Sequence, residues 1–333
     1  MTIKFTGNIP NSTERINTGF YSLDHAVEDV LGHSGWPLRS LVEVYGPKGV
    51  GKTTFCLEML GILAKEKNKK IDILDFEIQD RETVENVLIN SGYDGEVNYI
   101  LTQSKESPEE TLQRFADLMF NKNPNIGLVD SLGGFVSTPE LEGSIGDRNV
   151  GDKPLKLGQF TGRLITAMSR AENPSSIFMT NHVHPTIGER MAGSVTGGGE
   201  RKKYLSHIRL NLKRAFLGKA TLDFGETWLM QGHVDDNRYG KRRTDFYMFM
   251  IGGEGAHKGL TSVFENLVYG YATSSSQSIK ETSTITLDGK SYGKVSHLIE
   301  NRKDKDLFKD FTNKLLSSEV TSSQSEENNE EER

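Results

Sequence analysis

Apolar residues along this chain alternate between two textures. Five short runs, at 40–45, 71–76, 126–130, 176–180 and 207–212, are almost continuously apolar. Strands inside a sheet covered on both faces read this way, because neither side of the pleat meets water. The intervening stretches, 53–65, 83–91, 108–120 and 159–171, carry apolar residues three and four apart, which gives a helix a single apolar stripe. Strand and helix in turn predict an α/β fold, with a mostly parallel central β-sheet flanked by helices. Ser107 before Pro108, Glu109 and Glu110 predicts a helix start: the serine accepts an unsatisfied N–H, proline fits the first turn, and acidic groups suit the positive end of the dipole.

Changes in the pattern mark the parts of the chain. Beyond residue 223 alternating strands take over, clearest at 246–251. Residues 140–158 and 183–199 are rich in glycine, proline and charge and are longer than ordinary connections; loops of that length in a compact domain are usually functional or disordered. A Ser/Thr-rich tract at 273–284 predicts a linker. Residues 285–316 predict a small C-terminal α/β module, a hairpin turning at Asp288 and Gly289 and then a helix. Residues 317–333 have almost nothing to bury and are expected to be disordered. The expected division is 1–34 for oligomerisation, 35–272 for the core, then linker, module and acidic tail.

The first apolar run leads directly into Gly46, Pro47, Lys48, Gly49, Val50, Gly51, Lys52, Thr53 and Thr54. Glycines at this spacing let backbone N–H groups wrap phosphate oxygens that side chains would obstruct. Lys52 is placed to reach the β and γ phosphates and Thr53 to bind Mg²⁺, while the helix that starts here adds its positive end. ATP and Mg²⁺ are the expected cofactors. Asp80, beyond the second apolar run, is counted with the nucleotide-binding residues. Two further acidic residues fall at strand ends on the same edge of such a sheet, where ligands of open α/β sheets bind. Asp130 closes the third run and is the expected metal carboxylate; Glu77 follows the second and is the candidate base.

Composition narrows the setting. With 333 residues, 35% hydrophobic and 26% charged, the chain can bury a large core. It has no apolar run long enough to span a bilayer and no apolar stretch at its start, so the expected location is cytoplasmic, with no membrane partner. The single cysteine, Cys56, excludes an internal disulfide and reads as a small buried residue. Net charge is −6, but residues 319–333 hold six glutamates and one arginine. The body is therefore close to neutral, and basic clusters at 201–203, 213–214 and 238–243 remain available to an anionic partner.

The order of these motifs resembles RecA-type DNA strand-exchange ATPases over about residues 14–272. Residues 14–24 (ERINTGFYSLD) are similar to that family's opening motif, Val44-Tyr45-Gly46-Pro47 with Gly51-Lys52-Thr53-Thr54 to its phosphate loop, and Val129-Asp130-Ser131-Leu132 to its second carboxylate motif. The resemblance implies a RecA-like P-loop ATPase core, with Glu77 as the water-activating carboxylate. Two positions depart from the family. Asn181 is followed by His182 where the family commonly has glutamine, and His182 is expected to sense the γ phosphate. Asp236 stands at one of two basic positions that complete a neighbour's ATP site, leaving Arg238, with Lys241 or Arg243 as alternatives. Glu77, Lys52, His182 and Arg238 form the expected catalytic set.

Residues 141–151 resemble the family's first DNA-binding loop, and 183–199 its second. The resemblance implies DNA contacts from Arg148, Val150, Gly151, Lys153, Lys156 and Arg163, and from Ile187, Arg190, Met191, Gly197, Gly198 and Gly199. Basic groups and amides hold phosphates, and an apolar wedge such as Ile187 enters a gap between bases. The partners implied are single-stranded DNA, homologous duplex DNA and further copies of this chain in a helical filament. A strand near Ile3–Phe5 is expected to be exchanged between copies. The acidic tail competes with phosphate or serves solubility. The expected function is filament formation and ATP-dependent strand exchange in homologous recombination; the alternative is a RecA-fold paralogue that regulates another recombinase.

Overall fold

The computed structural model describes residues 14–144, 151–185, 194–196, 201–217, 220–221, 223–224, 227–240, 244–262, 265, 284–287 and 290–294. A short N-terminal part comprises β1 (Arg15–Ile16), α1 (Tyr21–Ala26) and β2 (Trp36–Pro37), with β1 and β2 antiparallel. The core follows as β3 (Leu41–Gly46), α2 (Lys52–Lys67), β4 (Ile71–Asp75), α3 (Arg81–Ser91), β5 (Val97–Ile100), α4 (Pro108–Met119), β6 (Ile126–Asp130), α5 (Thr138–Glu142), α6 (Asp152–Arg170) and β7 (Ile177–Pro185). Then come β8 (Ser194–Thr196), α7 (Arg201–Leu205), β9 (Ile208–Arg214), the short pieces β10 (Phe216–Leu217), β11 (Ala220–Thr221) and β12 (Asp223–Phe224), and the longer β13 (Thr227–Asn237) and β14 (Asp245–Ile251). Three short strands close the series: β15 (Gly255–Ala256), β16 (Thr284–Leu287) and β17 (Lys290–Lys294).

One large sheet organises these elements, in the order β15-β14-β13-β9-β3-β7-β6-β4-β5. Strands β3, β4, β5, β6, β7 and β9 run parallel, while β13, β14 and β15 pair antiparallel. All five positions of β4 and of β6 are buried, as the unbroken apolar runs predict. Alternation within each strand sends residues to two cores. Val42, Val44, Ile71, Ile73, Leu128 and Phe178 join α1, α2 and α3 on one face; Leu41, Leu74, Val129, Ile177 and Met179 join α4 and α6 on the other. Each fully buried Leu, Ile or Phe contributes about 1.5–3 kcal/mol. Phe20, Leu23, Ala26 and Val27 belong to the first of these cores, so the chain packs into the domain well before residue 35.

Two of the predicted segments differ in the structure, and α1, β5 and α5 were not predicted. The helix expected at 159–171 begins seven residues earlier, at Asp152, so the 140–158 loop is shorter than its composition suggests. Gly151 adopts φ 97° at the N-cap, a conformation that glycine accepts freely, and Pro154 falls in the first turn, where it lacks no needed donor. Glycine and proline hid a true helical stripe through Leu157, Phe160, Leu164 and Ala167. The second long segment also has order at its base: Val183, His184 and Pro185 pair antiparallel with Thr196, Val195 and Ser194. At α4, Ser107 accepts from the Glu110 N–H at 3.2 Å while the Glu110 carboxylate accepts from the Ser107 N–H at 2.7 Å, a reciprocal cap. Strands β16 and β17 pair antiparallel, Leu287 opposite Lys290, while the expected turn residues Asp288 and Gly289 lie outside the described residues. The helix expected after 304, the tail, the strand near Ile3–Phe5, Lys241 and Arg243 lie outside the described residues, and no described helix is long and apolar enough to cross a membrane.

Glu58 of α2 is 1% exposed and accepts the Ala256 N–H at 3.1 Å. Burial pushes its carboxyl from 4.5 up to about 7, against the opposing pull of that hydrogen bond and Lys258. The folded protein thus holds the proton to higher pH than the unfolded chain, and stability falls as pH rises from 4.5 toward 7. Glu58→Gln keeps the acceptor and removes the charge. Urea melts should show it matching the wild type at pH 4 and exceeding it by roughly 3 kcal/mol at pH 8; equal stability at both would refute the buried charge.

Candidate nucleotide site and nucleic-acid interface

Strand β3 delivers Gly46 to the carboxyl edge of the sheet, and the chain turns through Pro47, Lys48 and Gly49, all exposed, into α2. A Cβ on Gly46 would lie 2.2 Å from the Leu212 carbonyl oxygen, so only glycine fits against β9. Gly51 takes φ 99° as the N-cap of α2. Its neighbour Val50 is held by Trp228 of β13, whose indole N–H donates to the Val50 carbonyl at 3.1 Å, with Arg214 stacked 5.2 Å from the ring centroid. Lys52 folds over this loop and donates to the carbonyls of Gly46 at 3.1 Å and Pro47 at 3.0 Å. Burial lowers its pKa, opposed by the nearby carboxylates of Glu77 and Asp130.

Asp130 ends β6 two strands away, and Thr53 donates its hydroxyl to it at 2.8 Å. Thr180 of β7 donates to the other carboxylate oxygen. Burial raises the Asp130 carboxyl to about 6, against both threonine hydrogen bonds. A hydroxyl and a carboxylate together are the hard oxygen donors that Mg²⁺ takes alongside phosphate and water. The two residues expected to hold it are adjacent.

Glu77 lies beyond β4, and the same oxygen, Oε1, receives the Ser131 hydroxyl and lies 2.8 Å from His182 Nε2. Burial pushes its carboxyl up, but the hydrogen bonds from Ser131 and His182 and the charge of Lys52 outweigh this and hold it below the ordinary value. His182 stands on β7 directly after Asn181, which donates to Glu43 at 2.9 Å; Arg209 donates to the second oxygen of Glu43 at 2.7 Å. The structure therefore brings Lys52, Thr53, Glu77, Asp130 and His182 to one sheet edge. Thr54 is half-buried on α2, and Asp80 acts as the N-cap of α3, accepting the Thr83 N–H at 2.9 Å.

Several contributors were not expected from sequence. Ser131 was read only as part of a motif, and Thr180 only as the last residue of a strand. Asp75 was missed, although its carboxylate accepts from the N–H groups of Glu77, Ile78 and Gln79 at 2.7, 3.0 and 2.6 Å. An acidic residue at the buried end of an apolar strand is the signal that would have found it.

Arg238 is exposed and distant from its own phosphate loop. Its N–H donates to the His207 carbonyl, whose N–H donates to the Leu41 carbonyl, at the end of β3 opposite Gly46. Six residues of strand span about 20 Å, farther than an arginine side chain reaches. Asp236 pairs in register with Arg209 across a bulge between β13 and β9.

Of the expected DNA contacts, Gly151, Lys153, Lys156 and Arg163 are described, and all belong to α6 or its cap. Lys153 donates to the Gly133 carbonyl at 2.7 Å, and Arg163 donates to Asp117 at 3.1 Å beside the Phe120 ring. Arg148, Val150, Ile187, Arg190, Met191, Gly197, Gly198 and Gly199 lie outside the described residues. The β7–β8 ribbon rises from the strand that carries His182.

A mostly parallel sheet with helices on both faces and a glycine-rich loop after its first core strand defines a phosphate-loop α/β protein. Residues 2–225 match the family model described as the RecA N-terminal domain, and the chain belongs to that family. It is similar to Protein RecA of Chlorobaculum parvum, 33% identical over 201 residues, covering 60% of this chain and 54% of that protein. It is also similar to Protein RecA of Colwellia psychrerythraea, 30% identical over 215 residues (64% and 58%), and of Bdellovibrio bacteriovorus, 29% over 208 residues (62% and 52%). The matched part of the chain spans a little over half the length of these relatives.

Proposed function

We propose that this protein is a DNA-dependent ATPase that polymerises on single-stranded DNA and exchanges strands with a homologous duplex. The observation that carries the reading is the Glu77 carboxylate, charged, held by Ser131 and His182, and close enough to Lys52 to feel its charge. Glu77 accepts a proton from the water that attacks the γ phosphorus, and Lys52 and His182 place positive or donor groups on the phosphoryl oxygens. Mg²⁺ held by Thr53 and Asp130 would neutralise charge on the β and γ phosphates. Because His182 leads along β7 into the β7–β8 ribbon, a shift at the γ phosphate reaches the arm assigned to DNA. Arg238 serves a neighbouring copy, since its own loop is out of reach. ATP then favours the filament, and hydrolysis releases it.

A second reading, a regulatory paralogue, rests on Asp236 at a position the family keeps basic. The two readings part on one measurement, ATP turnover with and without single-stranded DNA. Turnover should rise at least tenfold with DNA, given a two-state element biased by both ligands; a rate indifferent to DNA would leave only the regulatory reading.

A further inference from the structure

The carboxyl edge of β4 also shapes the turn that follows it. Asp75 is 2% exposed, and its two oxygens accept three successive backbone N–H groups, those of Glu77, Ile78 and Gln79. This carboxylate closes the turn that aims Glu77. Ile78 shows how firmly: a β-branched residue, 80% exposed, it sits at φ 57°, a conformation such a residue keeps only where its surroundings impose it. A fourth donor reaches Asp75 from the side. The hydroxyl of Tyr99 on β5 donates to Asp75 Oδ2, the oxygen that also accepts from Gln79.

Strand β5 ends the large sheet. Its neighbours in the described structure leave Val97, Tyr99 and Leu101 each more than a third exposed. Tyr99 therefore has one foot at the rim of the sheet and the other on the group that holds the turn. We infer that Tyr99 and Asp75 form a positioning pair that sets the Glu77 carboxylate against Ser131 and His182, so that the geometry of the outer strand is passed to the hydrolytic site. The inference rests on the proposed role of Glu77. Neither residue touches the nucleotide; Asp75 acts through three amides, and Tyr99 acts through Asp75.

Tyr99→Phe tests the pair, because it removes one hydroxyl and keeps a ring that is partly in solvent, leaving the fold intact. Two readouts are taken on the full-length protein: kcat and KM for ATP with saturating single-stranded DNA, and hydrogen exchange of individual amides without nucleotide. The expected result is a kcat lowered about tenfold with KM within twofold, since a misaligned base weakens the transition state and not the phosphate loop. Exchange at Glu77, Ile78 and Gln79 should quicken, while α2 and α3 keep their protection. Asp75→Asn, which retains an acceptor but places an amide against one of these donors, should shift both readouts in the same direction. If wild-type and Tyr99→Phe proteins share the same kcat and the same exchange at 77–79, the pair has no positioning role. A wild-type protein that turns over no ATP would instead sink the proposed function, and the exchange arm alone would then decide whether Tyr99 holds the turn.

Discussion

Glu77→Gln should abolish DNA-stimulated ATP turnover, by a hundredfold or more, while nucleotide still binds and filaments still form. Glutamine matches glutamate in size and still offers an oxygen to Ser131 and His182, so the contacts at 2.8 Å and below are kept in shape. What it cannot do is accept a proton. General-base catalysis supplies about 10²–10⁴ in rate, and the neighbouring carboxylates Asp130 and Asp75 are already engaged. Asp130 is tied to Thr53 and Thr180 and is the expected Mg²⁺ ligand; Asp75 is occupied with backbone amides. Steady-state turnover beside equilibrium binding of a fluorescent ATP analogue separates the two effects. A variant that still hydrolyses within tenfold of wild type would remove Glu77 from the role of base.

Arg238→Ala should reduce turnover by about 10³, the lower end of the range for arginine fingers. The more telling experiment mixes this variant with Glu77→Gln. Each is inactive alone. Where a copy carrying Glu77 lies beside a copy carrying Arg238, a complete site forms, and equal mixtures should recover about a quarter of wild-type turnover on a random-assembly estimate. On the proposed reading, the placement of Arg238 at the Leu41 end of β3, away from Gly46, leaves a neighbour's site as the one it can complete. A mixture no more active than its parts would mean that Arg238 does not complete a neighbour's site.

The parallel half of the sheet was legible because burial on both faces writes itself as continuous apolar runs: β4 and β6 fell where 71–76 and 126–130 predicted. The phosphate loop and both strand-end acids were legible for a different reason, since close backbone approach needs glycine and charge at a sheet edge needs a purpose. The start of α6 was hidden by Gly151, Pro154 and Gly158, residues that usually end helices and here stand at its cap, in its first turn and on its buried side. Tyr99 and Trp228 were hidden because their value is relational. Tyr99 lies 24 positions from Asp75 and Trp228 lies 178 from Val50, and no local pattern announces that two such residues meet.

One consequence follows from the opposite placement of Gly46 and Arg238 on the sheet. On the proposed reading each molecule has a donor end and an acceptor end, so a stack of copies is polar, and where it stays open as a filament its two tips differ. The terminal molecule at one tip holds triphosphate without an arginine opposite it, and the molecule at the other tip offers an arginine to nothing. Short oligomers are therefore poorer catalysts per molecule than long ones, and the uncapped tip keeps its triphosphate longest.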